Sequence, residues 1–276
     1  MKYYFYFLAL FILSCTKDSP DPNPVDLNPS LYPGCRLDMM AQPVTNSSVV
    51  DQVNYKFEYN AEGQIVSAKV LNRTIDRNQL PFESITTFSY INGRIYRLAI
   101  GNNDHVEAYD YTGAALLRIS VPRTTTPDYT GYFIQMTTDT SRRIIKMVDK
   151  PGFVTDIIRD NKGNILEIKK TDPISKRVIY SMIITGYDNK KSKYELLRGI
   201  PFDIFQDVEE YMERPLFSVG AGGNPLKAKI YRDNVLKADL EYLYEYSTGG
   251  YPTKIVTKDL LKNTVQEEIF DYLGCN

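Results

Sequence analysis

The sequence predicts an all-β fold: an antiparallel meander of about fourteen strands, closed or strongly curled into a barrel-like sheet, with one short helix as plug or lid. Three observations carry that reading. Between Leu236 and Tyr246, residues Leu236, Ala238, Leu240, Tyr242, Tyr244 and Tyr246 share one parity, while Lys237, Asp239, Glu241 and Glu245 hold the other. Successive side chains on a strand point to opposite faces, so this is an apolar-aromatic face backed by a charged one. The same phrase of strand, Gly turn and returning strand recurs along the chain. Composition agrees: 22 Tyr and no Trp suit a pleated, half-buried surface, and 43% hydrophobic with 24% charged residues is globular.

In chain order, Met1-Lys2 precedes Tyr3 to Leu13, an apolar run without a charge. It is too short to span a bilayer and has the shape of a secretion signal. Ile12-Leu13-Ser14-Cys15 closes it and resembles the lipobox of bacterial lipoproteins. That resemblance implies cleavage before Cys15 and acylation of the new N-terminal Cys15; the alternative is a plain secretory signal with an incidental cysteine. Several acyl chains, at about 0.8 kcal/mol per buried CH₂, make a stable anchor. Residues 16–33 interleave Pro20, Pro22, Pro24, Pro29 and Pro33 with Asp and Asn, an extended spacer. The expected organisation is a signal peptide over 1–14, a lipid-anchored Pro-rich tether over 15–34 and one β-hairpin-repeat domain over 35–276. Lys17-Asp18 resembles the export signal of Bacteroidetes-type surface lipoproteins, from which Ser19 departs. The expected location is therefore the outer membrane, on the cell surface or the periplasmic face.

Cys35 and Cys275 flank the folded part. In an exported protein a matched pair of thiols tends to oxidise, and the first and last strands of a closed sheet are neighbours. A Cys35–Cys275 disulfide would close a loop of about 240 residues, for which the chain-entropy model gives roughly 5 kcal/mol. The alternative is two buried thiols.

Five hairpins follow from alternation around glycine turns: Tyr55–Tyr59 through Gly63 to Ile65, Phe88–Ile91 through Asn92-Gly93 to Ile95, Tyr109–Thr112 through Gly113 to Leu116, Ile157–Asp160 through Gly163 to Ile165, and Tyr244–Tyr246 through Gly249-Gly250 to Ile255. Further strands are expected over Tyr132–Thr138, Arg143–Val148, Val178–Tyr187, Lys227–Tyr231 and Thr264–Tyr272. An open sheet of that size leaves two edges to protect, so closure is expected. Val178–Ile184 carries apolar residues on both faces, as does a strand beneath a covering element.

These Tyr-x-Tyr…Gly hairpins have the style of YD repeats. Together with Tyr187-Asp188-Asn189-Lys190-Lys191, Gly249-Gly250-Tyr251-Pro252 and the flanking Cys35 and Cys275, they resemble an uncharacterised family of Bacteroidetes-type lipoproteins with a porin-like fold. The resemblance covers most of residues 35–276 and implies architecture; the family brings no reaction or ligand with it. A transmembrane barrel alternates with its apolar residues outward. Here the expectation is a water-exposed domain with an apolar, Tyr-rich interior.

Between Tyr187 and Lys227 the hairpin phrase stops. Phe202 to Met212 has helical spacing, Pro215 ends it, and Gly220–Pro225 forms a loop. A plug for one end of the sheet is the structural reading of this excursion, and a binding surface the functional one.

Catalytic candidates are thin. His105 is the single histidine and follows Asn102-Asn103-Asp104, a turn. No nucleophile elbow, metalloprotease helix, phosphate loop or dinucleotide fingerprint occurs. Asp160–Asn164 resembles a calcium loop only in its first residues and reads as a hairpin turn. Glu209-Glu210 and Glu267-Glu268 are neighbours whose side chains diverge. The net charge of −1, or 32 − 34 = −2 without Lys2, gives no reason to expect nucleic acid. The expected function is a lipid-anchored envelope or cell-surface binding or scaffold protein, non-catalytic, with no metal and no cofactor. Its partners would be the membrane through Cys15 and a glycan or envelope protein. The alternatives are a carboxylate-based, glycan-directed surface hydrolase and a purely structural interaction module.

Overall fold

The computed structural model describes residues 35–44, 51–73, 82–101, 105–112, 115–120, 133–141, 143–149, 151–192 and 223–275. The expected signal peptide, the tether with Cys15 and the Phe202–Met212 helix lie outside them.

Sixteen strands form one closed antiparallel barrel. They are β1 (Arg36–Val44), β2 (Asp51–Tyr59), β3 (Ile65–Arg73), β4 (Phe82–Ile91), β5 (Arg94–Ile100), β6 (His105–Thr112), β7 (Ala115–Ser120) and β8 (Phe133–Thr138), followed by β9 (Ile144–Asp149), β10 (Val154–Arg159), β11 (Ile165–Thr171), β12 (Val178–Tyr187), β13 (Pro225–Arg232), β14 (Val235–Tyr246), β15 (Pro252–Asp259) and β16 (Thr264–Leu273). Each strand pairs with its neighbours in sequence, and β1 pairs with β16 to close the ring. The expected count of about fourteen becomes sixteen, with no α-helix among the described residues.

β1 is the strand that alternation alone does not reveal. Its inward residues Leu37 and Met40 are three apart, because the ladder to β16 shifts register between Leu37 and Met39. His105 is not a turn residue: it opens β6, opposite Ile100.

The inner face is built from alternating residues of the strands, with the parity switching at bulges such as those in β1 and β15. Leu37, Phe57, Phe88, Ile95, Tyr109, Met136, Ile157, Ile168, Met182, Ile230, Tyr242 and Phe270 belong to a single buried apolar cluster. A round sixteen-stranded barrel has room for an aqueous channel. A channel would leave its lining wet, yet these side chains are buried in one apolar cluster, so the interior is packed. The outer face carries ion pairs across strands, among them Lys56–Asp38, Arg118–Asp110, Lys229–Asp239 and Lys254–Glu267. Such exposed pairs add little stability, and the same face also exposes Met39, Tyr96, Leu117, Ile183 and Ile269. In β12 Tyr180, Met182 and Ile184 are buried while Ile183 on the opposite face is exposed.

Cys35 and Cys275 are joined by a disulfide, with Cα atoms 4.4 Å apart and 240 residues between them in sequence. It lies at the end of the barrel where odd-numbered strands begin and even-numbered strands stop.

Candidate functional site

That disulfide end repeats one local design. At seven of its eight strand junctions the register shifts by one residue: β16–β1, β2–β3, β4–β5, β6–β7, β8–β9, β10–β11 and β14–β15. Only β12–β13 runs without a shift. Tyr59, for example, faces Ile65 while Glu58 faces Ser67, which makes Val66 the extra residue. Equivalent extra residues are Asp38, Tyr96, Leu117, Ile145, Leu166 and Thr253. A bulge disrupts the local ladder and sharpens twist, which bends strands into a closed wall.

Inward side chains meet these bulges. The hydroxyl of Tyr59 donates to the Leu37 carbonyl at 2.6 Å, and that of Tyr90 to Ile65 at 2.7 Å. Tyr187 donates to Ile165 at 2.5 Å, Tyr244 to Pro225 at 2.7 Å and Tyr272 to Pro252 at 2.5 Å. Leu37, Ile65, Ile165 and Pro252 are each the residue at which a register shift begins. A tyrosine hydroxyl thus satisfies a carbonyl where the ladder is broken. Around β8–β10 the ring changes chemistry. Thr138 stands at the tyrosine position of β8, and Arg159 at that of β10. Arg159 donates through Nε to the Ile144 carbonyl and through Nη1 to that of Gly163. Burial, with a contribution from the nearby Arg143 charge, lowers its pKa to about 10.

Cations lie over the rings of several tyrosines at this end. The Arg36 guanidinium sits 5.3 Å from the centre of Tyr59, and Arg94 sits 5.6 Å from Tyr111. Lys191 lies 4.8 Å from Tyr251 and Lys190 5.9 Å from Tyr246. The two lysines belong to the Tyr187–Lys191 motif and flank the point where the chain leaves the sheet. There Asp188 accepts a hydrogen bond from the Tyr246 hydroxyl, and the Asn224 amide nitrogen reaches the Lys191 carbonyl at 3.0 Å and the Tyr246 oxygen at 3.3 Å. Tyr246 is pushed well above the ordinary tyrosine range by burial and then by the Asp188 carboxylate.

The remaining candidates are structural. Asp160, the start of the calcium-like loop, caps a hairpin turn by accepting from the backbone of Lys162 and Asn164. Glu267 pairs with Lys254 on the outer wall. Glu209-Glu210 lies outside the described residues. Among the described residues no group of His, Cys, Asp and Glu side chains is placed to hold a metal ion.

Sequence reading missed the bulge ring, although it leaves a signal. At five of the seven bulges an apolar residue follows another where alternation calls for a polar one: Ile65-Val66, Ile95-Tyr96, Leu116-Leu117, Ile144-Ile145 and Ile165-Leu166; at the other two the extra residue is Asp38 or Thr253 and leaves no such signal.

No family model matches the chain, and no curated protein is similar to it. Among solved structures it is similar to a porin-like protein from Bacteroides uniformis, with a TM-score of 0.59 at 11% identity over 85% of this chain and 96% of that one. A porin-like protein from Bacteroides vulgatus aligns with a TM-score of 0.37 at 13% identity, covering 86% and 98%. A putative outer membrane lipoprotein-sorting protein domain from Vibrio parahaemolyticus gives 0.20 at 8%, covering 87% and 84%. The last two scores are too low to carry an argument. The first establishes the class: this chain has a porin-like barrel fold.

Proposed function

We propose that this protein is a non-catalytic, lipid-anchored barrel of the bacterial envelope, held at the outer membrane through Cys15, which binds or scaffolds an envelope or extracellular partner. The observation that supports it most is the polarity of the wall. A membrane-spanning barrel turns an apolar band outward, whereas this one packs its apolar face inside and sets ion pairs outside. Its attachment to a membrane then falls to a separate device, and the leader ending in Ile12-Leu13-Ser14-Cys15 is that device. The spacer enters the barrel at Cys35, so the disulfide end is the anchored end.

The hydrolase reading finds no support at that end. A general acid needs a carboxyl with a raised pKa. Asp139 and Asp160 are instead committed to turns: burial acts to raise them, but hydrogen bonds from Arg143 and from Asn164 outweigh it and hold both below the usual carboxylate range.

Metabolic labelling with an alkyne-tagged fatty acid in a bacterial host tests the anchor. The wild-type chain should be labelled and sediment with outer membranes, and Cys15→Ala should be unlabelled and released. An unlabelled wild-type chain, or a Cys15→Ala variant that still sediments with membranes, refutes the proposal.

A further inference from the structure

The excursion between β12 and β13 leaves the sheet through an ordinary turn. In the β10–β11 turn, the Asp160 N–H donates to the Asn164 carbonyl at 2.9 Å, and the Asn164 N–H donates back to Asp160 Oδ1 at 2.9 Å. The Asn164 amide nitrogen adds a bond to Asp160 Oδ2 at 2.9 Å. Asp188 and Asn224 repeat this arrangement. The Asp188 N–H meets the Asn224 carbonyl at 3.0 Å, the Asn224 N–H meets Asp188 Oδ1 at 2.9 Å, and the Asn224 amide nitrogen reaches Asp188 Oδ2 at 3.3 Å. Asn60 with Gln64 and Asp139 with Arg143 hold their turns by the same backbone pair and cap.

The flanking residues match as well. Gly163-Asn164-Ile165-Leu166 corresponds to Gly223-Asn224-Pro225-Leu226, and Gly223 packs so closely on the Asp188 carbonyl that a Cβ would lie 2.1 Å from its oxygen. The partners are 4 residues apart in one turn and 36 in the other, a difference of 36 − 4 = 32 residues. Tyr246 and Lys191 reinforce the second closure, through the Tyr246 hydroxyl on Asp188 and the Lys191 carbonyl on the Asn224 amide.

We infer that the segment from Asn189 to Gly223 is an insertion into a complete hairpin turn, and that Asp188, Asn224 and Tyr246 form a clamp that isolates the barrel from it. β12 and β13 stay paired right up to this turn, with Tyr187 facing Pro225 as Arg159 faces Ile165, although this ladder lacks the register shift of the other junctions. Folding of the barrel therefore does not depend on what the insertion carries, and the insertion is free to diverge without cost to the wall.

Replacing residues 189–223 by Asn-Lys-Gly, the three residues between Asp160 and Asn164, tests this. The shortened chain should unfold in one cooperative transition with a Tm within a few degrees of the parent, retain its β-sheet circular dichroism and form the Cys35–Cys275 disulfide. Loss of cooperative folding, or a drop in Tm beyond about 10 °C, overturns the inference. A second measurement avoids reliance on the graft: the intact protein is nicked by trypsin within residues 193–222, which include Lys193 and Arg198. The nicked protein should keep the same Tm, and unfolding upon nicking overturns the inference equally. Gly223→Ala in the full chain should lower Tm, because its Cβ displaces Asp188; an unchanged Tm would show that no clamp exists.

Discussion

The carbonyl of Leu37 illustrates how the ring of tyrosines works at the level of single residues. The β16–β1 ladder shifts at that point, and the Tyr59 hydroxyl donates to the oxygen at 2.6 Å. Removing the donor leaves a carbonyl with a lost partner in a half-buried site, which costs about 1–3 kcal/mol. Tyr59→Phe should lower the denaturant-derived unfolding free energy by that amount, while Tyr96→Phe on the exposed outer face should be near neutral. Ionisation is a second readout. Burial raises Tyr59, Tyr90, Tyr187 and Tyr272 well above the ordinary tyrosine value, and Tyr111 to about 12 against the opposing pull of Arg94. A folded-state pKa above the unfolded value near 10 means the folded barrel retains protons that the unfolded chain gives up. The stabilisation is complete below pH 10 and is lost as pH rises through the folded values. Tyrosinate absorbance should therefore rise together with the loss of β-sheet circular dichroism above pH 10, and gradual ionisation of these tyrosines in a still-folded protein would contradict this account.

At the level of the hairpin, the turns are held by carboxylates and amides that accept backbone N–H groups. Hydrogen bonds from Ser175 and Ile174 hold Asp172 below the ordinary carboxylate range, and those from Asn164 do so for Asp160 against the effect of burial. Depressed carboxyls stabilise the fold above the unfolded value of about 4, and that stabilisation disappears as pH falls through the folded values. Asp160→Asn keeps the acceptor and removes the titration, so its Tm should decline less between pH 4 and 2 than that of the parent. Core packing gives a larger effect: Ile168→Ala in β11, fully buried, should cost about 2–5 kcal/mol in denaturant unfolding. The hairpins were legible because inward Tyr and Ile alternate with charge around Gly63, Gly93, Gly163 and Gly250, each with positive φ. β1 was not, because its bulge places Leu37 and Met40 three apart and hides the alternation. The Asp188–Asn224 closure was equally hidden, since turn motifs are read as contiguous residues and these two stand 36 apart.

For the molecule as a whole, the sign of the wall decides how sixteen strands are used. The strands close as in a porin-like barrel, and the buried apolar cluster lies on the inner face, so stability rests on a packed interior. The single parity of Leu236 to Tyr246 made one apolar face legible, but alternation alone does not tell which way that face turns. The meeting of the start of β1 and the end of β16 at one rim follows from an even number of strands, which the expected count of about fourteen shares. The disulfide joins those ends, and substituting both Cys35 and Cys275 by alanine should lower stability by up to about 5 kcal/mol on the chain-entropy argument. The β1–β16 ladder remains in that variant, so it should still fold; equal stability of the oxidised parent and the double variant would refute the entropic role.

The β16–β1 junction obeys the same rules as the internal hairpins, with Tyr272 facing Leu37, a register shift beside them, and Cys35–Cys275 where the others have a turn. The barrel wall thus has no intrinsic first strand. A circularly permuted chain, opened at the insertion so that it runs from Gly223 through a short loop replacing the disulfide to Ser192, contains every junction of the parent. The ladders of the wall therefore do not dictate which strand comes first in the chain.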